Sequence, residues 1–152
     1  MLNLEIVIRP KIKIKSRQWW ISSYKKIYRL LNTYLPETKS KFLKRSTLCL
    51  LVTNNKEIQN LNKKFRKINK PTDVLSFHLD KNKQIKQKYL GDIVISIETA
   101  RRDAHTKGIS LDKELKMLLI HANLHLLGYD HITKKGGKIM FSLQEKILGK
   151  CC

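Results

Sequence analysis

The stretch His121-Ala-Asn-Leu-His-Leu-Leu-Gly-Tyr-Asp-His131 packs three of the chain's five histidines into eleven residues. His121 and His125 are four apart, so on an α-helix they share one face, about 6 Å apart along the axis. Two imidazoles so placed can close on one metal ion. Gly128 follows about one turn later and suits a helix C-terminus, since glycine enters the left-handed region without a Cβ penalty. The chain can then double back and offer His131 as a third ligand. Leu124, Leu126 and Leu127 anchor the helix in a core. Three histidines with one coordination position open is the pattern of a catalytic zinc rather than a closed structural one.

The same offsets occur in the metzincin protease signature, H-E-x-x-H-x-x-G-x-x-H. There the residue after the first histidine is a glutamate that activates water. Here it is Ala122, which can neither take nor give a proton. A peptidase of that type would lack its base.

Working outward, the chain of 152 residues reads as one domain, 1–152, long enough to bury a core. Its last few residues, closing on Cys151-Cys152, read as a disordered tail outside the site. Cys49 lies in an apolar run and reads as a buried small hydrophobe. No apolar run approaches the roughly eighteen residues a membrane span requires, and no signal-peptide h-region opens the chain, so a cytoplasmic protein without a membrane is expected. Lys and Arg number 32 against 12 Asp and Glu, a net charge of +20. Charge of that size attracts polyanions, nucleic acid above all.

Leu2, Leu4, Ile6 and Ile8 alternate with Asn3, Glu5, Val7 and Arg9, predicting a first strand with one buried face. Pro10 interrupts it, and Lys11 to Lys15 continues as an extended basic run. Trp20, Tyr24, Ile27, Tyr28, Leu31 and Leu35 fall at helical spacing up to Pro36. A polar loop, 37–46, precedes a strand at Leu48–Val52 buried on both faces. Asn54 and Glu57 form a capping box for a helix whose apolar stripe is Ile58, Leu61, Phe65 and Ile68. Asp73 to Phe77 reads as a strand, 80–88 as a mobile loop, and Ile93–Ile97, introduced by Gly91-Asp92, as a further strand. A helix then runs from about Glu98 to Lys107, and Ser110 caps the helix carrying His121 and His125. Gly136-Gly137 separates a last helix with Met140, Leu143 and Ile147 on one face. The expected architecture is α+β, a small mixed β-sheet packed against several helices, with the metal site at the end of a helix in the C-terminal half.

Leu61-Asn-Lys-Lys-Phe-Arg66, Thr72-Asp-Val-Leu-Ser-Phe77, Leu90-Gly-Asp-Ile93 and His121 through His131 together resemble the YbeY family of bacterial endoribonucleases, in that order along the chain. The family's signature, H-G-x-L-H-L-x-G-Y-D-H, is matched except that Ala122 stands at the glycine. His78 likewise departs from the proline common after the Ser-Phe. The resemblance implies one Zn²⁺ per chain on His121, His125 and His131, and single-strand-specific cleavage of RNA. It also implies a role in maturing the 3′ end of small-subunit ribosomal RNA and in ribosome quality control, with the ribosomal RNA precursor, the small ribosomal subunit and its proteins as partners. The catalytic residues it marks are Arg66 and His121, the latter doubling as a ligand.

Three neutral imidazoles leave a metal its full charge, which suits a phosphodiester gathering negative charge. The guanidinium fork of Arg66 fits two phosphate oxygens. Asp130 is either a partner of a ligand imidazole or a turn aspartate. Asp73 and Asp92 read as turn residues, Tyr129 as packing, and His78 and His105 as ordinary polar residues. No general base stands out, so a metal-activated water and the RNA 2′-OH both remain as nucleophiles. The competing readings are a ribosome-associated RNA-binding factor with mainly structural zinc, and a metal hydrolase of another substrate.

Overall fold

Alternation along Asn3–Ile8 turns Leu4, Ile6 and Ile8 to one face, and in the computed structural model, which describes residues 3–9, 12 and 15–152, this segment is strand β1. Expectations for Leu2, for Pro10 and for the basic run at 11, 13 and 14 lie outside the described residues. Strand β2 (Thr47–Thr53) pairs parallel with β1 and with β4 (Tyr89–Ser96), and β3 (Val74–Phe77) runs antiparallel to β4. The order β1-β2-β4-β3 makes the mixed sheet expected from the sequence. Parallel neighbours require crossovers. Helices α1 (Arg17–Tyr34) and α2 (Glu37–Arg45) supply the first, and α3 (Asn55–Arg66), β3 and α4 (Lys81–Gln87) the second.

One face of the sheet carries the main core: Ile6, Leu48, Leu50, Val52, Ile93 and Ile95 pack with α1 and the C-terminal helices. The other face is only partly covered, by Ile58 of α3 against Leu75 and Val94. The expectation that β2 is buried on both faces is therefore corrected. Thr47, Cys49 and Leu51 are half-buried, and Cys49 shares that face with its register partners Glu5 and Asp92.

Three further corrections have local causes. Residues 37–45 form α2 rather than a loop, because Pro36 opens it and Glu37 and Lys44–Arg45 complement its dipole while Leu43 is buried. Residues 81–87 form α4 rather than a mobile loop: Asp80 accepts the Lys83 N–H, and the buried Gln84 donates to the Leu90 carbonyl at 2.9 Å. The apolar stripe of α3 is buried only at Ile58; Phe65 and Ile68 are exposed, because the helix ends at Arg66 and turns through Lys67 at φ 62°.

Helix α5 (Ile97–Lys107) ends at Gly108, and Ser110 caps α6 (Leu111–Leu126) by accepting the Lys113 N–H at 3.1 Å. Helix α6 is apolar on most sides and packs on the sheet, α1, α5 and α7 (Lys134–Cys151). Gly136-Gly137 lies inside α7 instead of preceding it. The pair permits close approach: a Cβ on Gly136 would stand 2.9 Å from Thr133 Oγ1, and one on Gly137 3.4 Å from His131 Cβ. The expected tail is also corrected, since Cys151 is helical and buried, with its carbonyl accepting from Lys26 Nζ at 3.1 Å.

Helix α6 is fixed to α1 by Trp19 Nε1 donating to Asp112 Oδ1 at 2.7 Å and by a fully buried contact deeper in the core. Tyr24 Oη donates to Asn123 Oδ1 at 2.8 Å, and Asn123 Nδ2 donates to the Leu119 carbonyl, all buried. Tyr24→Phe leaves that amide oxygen unpaired and should cost about 1–3 kcal/mol in urea unfolding; an unchanged midpoint would show that the contact is not needed.

Asn54 caps α3 as expected, accepting the Glu57 N–H at 3.0 Å, but the Glu57 carboxylate goes to Arg9 and to the Thr53 hydroxyl rather than back to the cap. The Arg9 hydrogen bond holds the Glu57 carboxyl below the usual range. Stability linked to a depressed carboxyl is present above its unfolded value and is lost as pH falls through the folded one. Glu57→Gln should therefore lower the thermal midpoint at neutral pH, with the gap closing as pH falls below the ordinary glutamate value of about 4.3. A gap independent of pH would remove the ion pair as its source.

Candidate metal centre

The end of α6 builds the site. Gly128 at φ 87° terminates the helix in a Schellman arrangement, with Gly128 N–H donating to the His125 carbonyl and Tyr129 N–H to the Leu124 carbonyl, both at 2.9 Å. This reversal folds residues 129–133 back along the helix. Asp130 Oδ1 accepts the Ile132 N–H at 3.1 Å and shapes the turn, so Asp130 is the turn residue and not the partner of an imidazole. One ring nitrogen from each of His121, His125 and His131 then lies within 4.8 Å of the others.

Two of the rings are fixed by their far nitrogens. His121 Nδ1 bonds the Gln144 amide oxygen at 2.8 Å, and His125 Nδ1 the Tyr129 carbonyl at 3.0 Å. Both partners are oxygens that only accept, so each Nδ1 carries a proton and each Nε2 is turned to the shared centre. The two Nε2 atoms face each other at 3.0 Å. At that distance the pair can share a proton or flank one cation. Burial, followed by the His121 and His131 imidazoles, also pushes the His125 ring below the ordinary histidine value, favouring the neutral form that binds metal. The donor set fits a borderline cation that accepts imidazole nitrogen.

Arg66, at the end of α3, joins His121 and His125 on the wall of a groove of about 570 Å³ between α3–β3 and α6–α7. Its Nη2 donates to the Ser76 carbonyl at 3.0 Å and its guanidinium lies 5.9 Å from the Phe77 ring, which together set it on the groove wall. Asp73 also lines this groove, and its Oδ1 accepts the Thr72 hydroxyl and the Val74 N–H, the turn chemistry expected of it. Asp73 further meets Asp103 and the buried Glu114, whose charge Lys107 balances at 2.6 Å. His78 is closer to the site than an ordinary polar residue: it shares a smaller cavity with Arg66 and His125.

Sequence reasoning missed Gln144 and Phe141. Gln144 is buried one turn from Met140 on the core face of α7, and a polar residue on that face was the available signal. Phe141 stacks on His131 with centroids 5.6 Å apart, and only the third dimension brings them together.

The profile of the family described as Endoribonuclease YbeY matches residues 11–151. A Pelagibacter ubique protein named Endoribonuclease YbeY is 40% identical over 152 residues, covering 97% of this chain and 94% of that one. A Sulfurihydrogenibium protein of the same name is 41% identical over 131 residues, covering 77% and 86%. Among solved structures, the solution structure of a Thermotoga maritima protein aligns over 97% of this chain and 88% of its own, with a TM-score of 0.67 at 25% identity.

Removing the support of a ligand ring should weaken metal binding without abolishing it. Gln144→Leu should reduce Zn²⁺ affinity 10- to 100-fold in competition with a chromophoric chelator, while His125→Ala should lose the ion. Wild-type affinity in the Gln144 variant, or one equivalent of tightly held zinc in the His125 variant, would contradict the assignment.

Proposed function

This chain belongs to the YbeY endoribonuclease family, and from that membership we propose that it is a zinc-dependent endoribonuclease specific for single strands, matured small-subunit ribosomal RNA 3′ ends being its product. We assign His121, His125 and His131 as ligands of one Zn²⁺, with His121 and Arg66 as the catalytic pair, in a single domain working in the cytoplasm. Ribosome quality control, and contact with the small subunit and its proteins, belong to the same reading. Among the described residues no helix is long and apolar enough to cross a membrane.

The observation that carries the proposal is that Arg66 lines one groove with His121 and His125, two members of the three-histidine cluster. Zinc on these nitrogens would supply Lewis acidity to a phosphoryl oxygen. The protein's own part is positioning. Gln144 and the Tyr129 carbonyl orient the imidazoles. Arg66 commits one N–H to Ser76, and a guanidinium has five, so a fork remains for two phosphate oxygens. Lys63, Lys64 and Lys67 line a shallow recess on the same helix end, and with the net charge of +20 they draw a polyanion towards the groove.

Cleavage of a single-stranded RNA oligomer by the purified protein should track bound zinc, disappear on chelation and return on readdition. Arg66→Glu should leave zinc content at wild type while lowering kcat/KM on the order of 100-fold, the scale of a lost charge-stabilising donor. Zinc bound with RNA intact would favour the RNA-binding factor in its place. Undiminished cleavage by the Arg66 variant would take that residue out of the site.

A further inference from the structure

We propose that Phe141 is the platform on which an unpaired nucleobase of the substrate stacks, which adds a specificity-determining residue to the ribonuclease reading above and rests on it. Phe141 is 46% exposed although α7 has a buried face in Met140, Gln144 and Ile147. It lies off that face and lines the groove that holds Arg66, His121 and His125. Its ring is 20° from the plane of His131 at 5.6 Å and 27° from that of His121 at 6.3 Å, so it extends a stack that begins at the metal ligands. The other strongly exposed aromatic, Phe65, leans on Phe77 at 5.2 Å and is not part of this groove lining.

A phenyl ring offers a partner only a π-face and an apolar edge. The complementary group is a flat π-system, which every nucleobase has. In a duplex that face is taken up by neighbouring base pairs, so an aromatic platform selects bases that are unstacked and splayed out. Arg66 and Phe141 line the same groove and divide the nucleotide by chemistry, the guanidinium for the phosphate and the phenyl for the base. The platform thereby gives single-strand preference a physical source in this chain.

The test compares wild type, Phe141→Ala and Phe141→Trp on a single-stranded RNA oligomer and on a set carrying one abasic residue at each position in turn, with zinc counted in every sample. Phe141→Ala should raise KM on the order of ten-fold, with kcat within about two-fold and zinc unchanged, and the tryptophan should restore KM. For wild type, one abasic position beside the cleaved bond should cost as much as the alanine substitution, and the alanine variant should lose nothing more there. Wild-type KM in the alanine variant, or losses that multiply at every abasic position, would overturn the platform. Loss of zinc would make Phe141 a prop for His131 instead. If wild type neither cleaves nor binds the oligomer, the ribonuclease reading fails first, and this inference with it.

Discussion

Two imidazole nitrogens, Nε2 of His121 and Nε2 of His125, are held face to face at 3.0 Å, and much of this chain keeps them there. Helix α6 fixes the spacing of the two rings. Its apolar sides bury it among the sheet and three helices, and Tyr24 locks it through Asn123. Gln144 and the Tyr129 carbonyl remove the rings' freedom to turn away. Nitrogens held convergent by the fold itself give the site an affinity for cations that costs no rearrangement.

The division between what sequence reveals and what it hides follows from where each interaction lies along the chain. The histidine pair, the helix-ending glycine and the third histidine are local, and spacing alone predicts them. Caps at Asn54 and Ser110 are local too, as is the alternation in β1. Arg66 is different: nothing in its neighbourhood sets it apart from 32 basic residues, and it was recognised through family resemblance. Gln144 and Phe141 become functional only when α7 docks on α6, 23 residues separating His121 from its amide partner.

Where α2 and α4 depart from the sequence expectation, polarity resembles irregularity. Helices α2 and α4 are short and lysine-rich, yet each has terminal chemistry enough to close it and something to bury, Ser40 and Leu43 in the first and Gln84 in the second. The glycine pair in α7 reads as a break in sequence, because glycine is costly inside a helix. Here it yields space to the turn that carries His131. Helical phase alone places Phe65 with the core, but α3 stops one residue later and Phe65 stays exposed against Phe77.

The Schellman turn at Gly128 has a consequence for the order in which the molecule assembles. It brings the third ligand back to the first two within a segment of eleven residues, a loop whose closure costs little chain entropy. The sheet, by contrast, must join Asn3 to Thr47 and Thr47 to Tyr89 in parallel, pairings far apart in sequence and correspondingly slow. Ligand clustering is thus a low-contact-order event inside a high-contact-order fold. An ion captured early would act as a nucleus, pinning the end of α6 while the strands are still searching for their register.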